Sequence, residues 1–167
     1  MATKRRVSAK RFLAAIESGD IELVQRLLAQ GADVRGCWRE SPSVCAVRNG
    51  YTDILALLLR HGLDPREYDD LLFSVALYWK QRDVVKLLAA AIFAPDLWRG
   101  KTLLDLQKEA DLIERNIDRN LPNDMDQDAL RSTRLVLFDA AMTCWEQVRP
   151  APPKIKISPT PAKGRAL

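Results

Sequence analysis

Ala14-Ala15-Ile16-Glu17-Ser18-Gly19-Asp20-Ile21-Glu22-Leu23-Val24 recurs in altered form as Cys45-Ala46-Val47-Arg48-Asn49-Gly50-Tyr51-Thr52-Asp53-Ile54-Leu55. The first stretch runs on through Leu27-Leu28 to Gly31-Ala32-Asp33, and the second through Leu58-Leu59 to Gly62-Leu63-Asp64. A third copy opens with Leu71-Leu72-Phe73-Ser74-Val75-Ala76 and continues as Asp83-Val84-Val85-Lys86-Leu87-Leu88, with Lys80 where the earlier copies have glycine. The three alanines Ala15, Ala46 and Ala76 stand 31 and 30 residues apart. A fixed period in this range marks a stacked repeat, which presents a surface and does not build a deep pocket. The expected activity is therefore binding.

Each copy carries the physics of a helical pair. From Asp20 to Leu28, Ile21, Leu23, Val24, Leu27 and Leu28 fall on one helical face, while Glu22, Gln25 and Arg26 point away. Ile54, Leu55, Leu58 and Leu59 repeat the pattern. Gly31 and Gly62 follow the last apolar residue of their helices, where a left-handed cap is expected. Asp20, Glu22, Asp53 and Asp83 sit at helix starts, the end of the macrodipole that favours negative charge. One such pair cannot bury its apolar face alone, so stacking must do so, and 47% apolar residues in a chain of 167 suffice for one core.

The pattern resembles the ankyrin repeat. That family's unit is a turn followed by two antiparallel helices, with Thr-Pro-Leu-His-x-Ala opening the first helix. Ser41-Pro42-Ser43-Val44-Cys45-Ala46 stands in that place, with Ser41 as the expected helix cap and Pro42 at the first helical position. Gly31-Ala32-Asp33-Val34 is ankyrin-like as it stands, and a fourth copy begins at Gly100-Lys101-Thr102-Leu103-Leu104-Asp105. Thr102 lies 31 residues after Leu71, and Glu114 lies 31 after Asp83. The resemblance implies an all-α, ankyrin-type helical solenoid of three to four repeats, at about 11–35, 36–65, 66–96 and 97–122.

Leu121-Pro122-Asn123-Asp124 ends the repeat pattern. From Asp126 to Val148, Leu130, Leu137, Ala141, Cys144, Trp145 and Val148 recur at threes and fours, which predicts an amphipathic helix within 123–149 that closes the stack. Asp124, Asp126 and Asp128 alternate like a calcium loop but lack its glycine and distal glutamate, so they read as a helix start. Residues 1–10 and 150–167 read as basic tails, the second proline-rich, and both are expected to be disordered. Ten of the 26 basic residues and none of the 22 acidic ones lie within 1–11 and 149–167, so the body between them carries a net charge of −6.

Catalytic and metal chemistry find little support. His61 is the single histidine and sits at a helix end before Gly62, where a capping role is expected. Gly100-Lys101-Thr102 lacks the upstream glycine of a phosphate loop, since Pro95 stands there. Cys37, Cys45 and Cys144 are odd in number and include no close pair, which argues for reduced thiols in the cytoplasm and against a zinc site. No apolar run is long enough for a membrane span or signal peptide. No enzyme activity and no cofactor are expected.

In ankyrin proteins the turn tips and the inward face of the first helices make the usual contacts. By that resemblance the tips are 35–40, 64–70 and 96–101. Trp38, Tyr68 and Trp98 occupy them at a spacing of 30, with Arg39 and Arg99 following the tryptophans. These rings either form hot spots with their arginines or fold back to seal the shortened turns. At the inward helix ends stand Glu17-Ser18, Arg48-Asn49 and Tyr78-Trp79. Arg48, Tyr78 and Trp79 are expected to join the tip aromatics in one concave patch that binds a partner protein. The alternative is an anion-directed protein whose basic tails contact nucleic acid or an anionic membrane, with the stack as carrier.

Overall fold

Asp20, Tyr51 and Gln81 each donate a backbone N–H to the carbonyl of one of the three periodic alanines, Ala15, Ala46 and Ala76, at 3.1, 2.9 and 2.8 Å. These bonds fold each copy into an antiparallel pair of helices. The computed structural model describes residues 7–35, 41–122 and 125–151. Its helices are α1 (Ala9–Glu17), α2 (Ile21–Ala29), α3 (Pro42–Asn49), α4 (Thr52–Arg60), α5 (Glu67–Tyr78), α6 (Arg82–Ile92), α7 (Pro95–Trp98), α8 (Leu103–Asn120) and α9 (Gln127–Val148). No strand occurs among the described residues. Helices α1, α3, α5 and α8 pack side by side as an inner layer, and α2, α4, α6 and α9 form the outer one. The chain is an all-α helical solenoid.

The core lies between the layers. Phe12, Ile16, Leu27, Leu55, Leu58, Leu72, Phe73, Leu88, Leu106, Ile113, Ile117 and Leu137 are fully buried in it. Ala15, Ala46 and Ala76 are buried as well, small enough for the layers to close over them. Gly31 and Gly62 adopt φ of +89° and +91° as the sequence predicts. Glu22, Asp53 and Asp83 sit in first turns, and the Asp20 carboxylate accepts the Leu23 N–H at 2.9 Å. His61 caps α4, with its Nδ1 2.9 Å from the Leu57 carbonyl oxygen.

Two expectations change. Ser41 stands at the N-cap position of α3, but its buried hydroxyl pairs with the Ser43 hydroxyl at 2.6 Å and caps no backbone N–H. The interval 97–122 holds the end of α7 and one unbroken helix, so Glu114 lies inside α8 and starts no second helix. The outer partner of α8 is α9, which Arg134 joins to it through Glu114 (2.6 Å) and Asp118 (3.4 Å). Local chemistry explains the length of α8: Thr102 and Asp105 form a reciprocal capping box, and no glycine or proline interrupts the helix before Pro122. Asp126 accepts the Asp128 N–H at 2.9 Å and starts α9 as expected, while Asp124 lies outside the described residues.

Candidate partner-binding surface

Glu17, Arg48 and Tyr78 occupy the same place at the ends of successive inner helices, and all three are exposed. A groove of about 530 Å³ between α1 and α3 is lined by Lys10, Leu13, Glu17, Val44 and Arg48 among others. Beside these residues, Ser18 donates its hydroxyl to the Ala15 carbonyl at 3.0 Å, and Asn49 donates to the Cys45 carbonyl at 2.9 Å. Both side chains are thus engaged with their own helices. The third helix end differs. Tyr78 is 60% and Trp79 50% exposed, and their rings meet edge to face at 5.5 Å. Edge-to-face packing holds the two rings without hiding them, which presents a large amphipathic area at low entropic cost.

The tips behave otherwise. Trp98 folds back: its Nε1 donates to the Ile92 carbonyl at 2.8 Å, and its ring stacks on Phe93 at 6.0 Å. Of the two readings of this ring, sealing the turn is the one its geometry fits. Arg99 is exposed beside Asp96 at 3.4 Å. Tyr68 is 36% exposed and begins a run of three left-handed residues, Tyr68, Asp69 and Asp70, with φ of 59°, 53° and 62°. Trp38, Arg39 and Cys37 lie outside the described residues, as does most of each basic tail.

The single concave patch is not assembled as expected. Tyr68 precedes the regular part of α5, which starts at Leu71, and Tyr78 ends it. Eight helical residues separate the two groups by roughly 12 Å. Equal spacing along the chain aligns positions across repeats, but it does not bring opposite ends of one helix together. Arg48, Tyr78 and Trp79 therefore share one edge of the inner layer, and Tyr68, Trp98 and Arg99 belong to the other.

A buried polar cluster stabilises the tip edge. Asp70 is fully buried and accepts two bonds from Arg66, each at 3.0 Å, and one from Asn116 Nδ2 at 2.7 Å. Arg66 also pairs with Glu109, and Asn120 donates to the Asp69 carbonyl at 3.1 Å. The hydrogen bonds to Asp70 raise the pKa of Arg66 and keep the guanidinium charged. Next to it, burial pushes the Glu67 carboxyl up, opposed by Arg35 and reinforced by Asp64 and Asp33, and its Oε2 has no hydrogen-bond partner. Spacing along the sequence reveals only Arg66, which stands 31 residues after Arg35 in the repeated Asp-x-Arg turn; it does not point to Asp70, Glu109 or Asn116. Burial likewise raises the thiols of Cys45 and Cys144, with Arg48 partly opposing it at Cys45. No group of His, Cys, Asp or Glu able to hold a metal occurs among the described residues.

A family model described as ankyrin repeats (3 copies) matches residues 12–97. The chain is similar to the 2-5A-dependent ribonuclease of Mus musculus, with 45% identity over 57 residues, covering 32% of this chain and 8% of that protein. It is similar also to the 2-5A-dependent ribonuclease of Homo sapiens, 42% identical over 59 residues, again 32% of this chain and 8% of that protein. The chain thus spans a small part of the length of these relatives.

Proposed function

This chain belongs to the ankyrin-repeat family, and from that premise we propose that it is a non-enzymatic adaptor or inhibitor that grips a partner protein at the Arg48–Tyr78–Trp79 edge of its inner layer. Ankyrin repeats are a protein-interaction module, and the repeat copies here present their inner helix ends in register. The observation that carries the reading is the exposed Tyr78–Trp79 pair. Two large rings left in water at the end of a well-packed helix gain most when a partner covers them. Arg48 and Lys80 flank them with positive charge, which favours an acidic or hydrogen-bond-accepting segment on the partner. Tyr68 and Arg99 lie on the opposite edge and belong to a second, weaker contact region.

The test is a nuclease-treated pull-down with the full chain, a Tyr78→Ala/Trp79→Ala chain and a chain with both basic ends neutralised, each at low and high salt. A protein retained at high salt by the first and third chains and lost from the second supports this reading. Material retained by the Tyr78→Ala/Trp79→Ala chain, but lost when the basic ends are neutralised or salt is raised, would transfer the function to the ends and their anionic targets.

A further inference from the structure

Helix α9 turns a mixed stripe to water. Its other side, with Leu130, Thr133, Leu137, Ala141 and Cys144, is buried against the stack. On the outward side Leu135, Phe138 and Met142 follow one another at steps of three and four residues. Leu135 is 69% and Phe138 65% exposed, and Met142 is half-buried. The same steps carry the stripe on to charged residues at both ends: Asp128 and Arg131 before the apolar group, Glu146 and Arg149 after it. All four are exposed. Glu146 forms no ion pair among the described residues, and Arg131 meets only the exposed Asp128 at 3.7 Å, a contact that holds it weakly.

We propose that this stripe is a homodimer interface, in which α9 packs antiparallel against α9 of a second copy about a two-fold axis between Phe138 and Asp139. The order of charge along the helix chooses this occupant. A two-fold contact places each residue of a patch against a different residue of the same patch, so the patch must complement itself. Here it does. Leu135 and Met142 lie at equal distances on either side of the axis, and so do Arg131 and Glu146, and Asp128 and Arg149. Antiparallel pairing therefore sets apolar against apolar at the centre and opposite charge against opposite charge at both ends, with the two Phe138 rings at the axis. A parallel pair would instead set Arg131 against Arg131 and Glu146 against Glu146. Asp139 stays out of the contact, on the α6 flank, where it lines a hollow together with Lys86.

From Arg131 to Glu146 the helix rises about 22 Å, so the contact runs for roughly four turns. One helix face of that length makes a small interface, and the dimer is accordingly weak and concentration-dependent. The interface belongs to the outer layer and uses no residue of the Arg48–Tyr78–Trp79 edge, so it stands or falls apart from the partner-binding reading.

The experiment is sedimentation velocity on the full chain from about 1 μM to about 500 μM, a range that brackets weak association. The mass should rise from one chain toward two with concentration. Phe138→Ala, Arg131→Glu and Glu146→Arg should each raise the dissociation constant at least about tenfold. These positions are exposed, so the variants keep their fold, which circular dichroism checks. The double variant Arg131→Glu/Glu146→Arg should return the dimer, because the two charges merely change places across the axis. A parent chain that stays monomeric throughout would overturn the proposal, as would a dimer unmoved by Phe138→Ala. A double variant that associates no better than either single one would overturn the antiparallel pairing itself.

Discussion

Asn116 on α8 donates its side-chain N–H to the buried carboxylate of Asp70 at 2.7 Å, joining the last inner helix to the turn that opens the third repeat. The turn needs the help, because left-handed backbone at Tyr68, Asp69 and Asp70 costs about 1–2 kcal/mol for each L-residue. Arg66 neutralises the carboxylate and Asn116 takes an acceptor site on one of its oxygens. Asp70→Ala removes the buried partner of Arg66, which keeps Glu109, and should lower unfolding stability by about 2 kcal/mol in urea titrations, less than for a fully buried pair. Asn116→Ala should cost about 1–2 kcal/mol. The double variant should lose less than the sum of the two, since both act on one network.

Gly50 and Lys80 occupy the same loop position in successive repeats, with φ of +72° and +56°. Glycine takes that backbone freely, and lysine does not. Lys80→Gly should therefore raise stability by about 1 kcal/mol, purely by relieving the backbone. Gly50→Ala should lose about 1–2 kcal/mol, because it meets the same backbone penalty. A Cβ there would also come 2.4 Å from Gln81 Oε1, forcing that side chain aside. Thermal melts of the two single variants, moving in opposite directions, check both.

Glu67 has a raised folded-state pKa, chiefly through burial, so its ionised form is disfavoured in the folded chain. The folded chain binds this proton more tightly than the unfolded one, so the group's contribution to stability is full below the unfolded carboxylate value. That contribution is lost as pH rises through the raised one. Glu67→Gln should thus match the parent chain in acid and exceed it in stability at neutral pH. Urea midpoints measured from pH 4 to pH 7 read the difference, and a gap that closes as pH rises would contradict it.

The repeating half of this fold was legible because it is periodic. Ala15, Ala46 and Ala76, the glycine at the inter-helix turns of the first two repeats and the acids in first turns all answer to constraints that recur with each repeat. The tip region and the last helical pair were less so. The cluster of Arg66, Asp70, Glu109 and Asn116 joins residues more than 40 positions apart and occurs once, so no spacing rule exposes it. The unbroken α8 was hidden for the opposite reason. Its Thr102 and Glu114 match the period, yet nothing between them breaks a helix. The exposed Leu135 and Phe138 on α9 could have been read from the sequence, but the buried row beside them masks the pattern.

Trp79 and Trp98 test the proposed division between a binding residue and a sealing one. Trp98 donates to Ile92 and stacks on Phe93, so Trp98→Ala removes a hydrogen bond and leaves a gap beneath α7. Its partial burial sets the cost at about 2 kcal/mol, below that of a fully buried tryptophan. Trp79 is half exposed and follows the last residue of α5 as its C-cap, so Trp79→Ala should change stability by less than about 1 kcal/mol. Partner affinity should divide the other way: Trp79→Ala weakens it by at least tenfold, as expected of a hot-spot aromatic losing about 1.4 kcal/mol or more. Trp98→Ala should leave affinity near that of the parent at temperatures where the variant stays folded. Melting curves and titrations on the same two proteins decide the assignment. A Trp79→Ala chain that melts much earlier yet binds unchanged would return Tyr78 and Trp79 to the fold and remove them from the partner-binding edge.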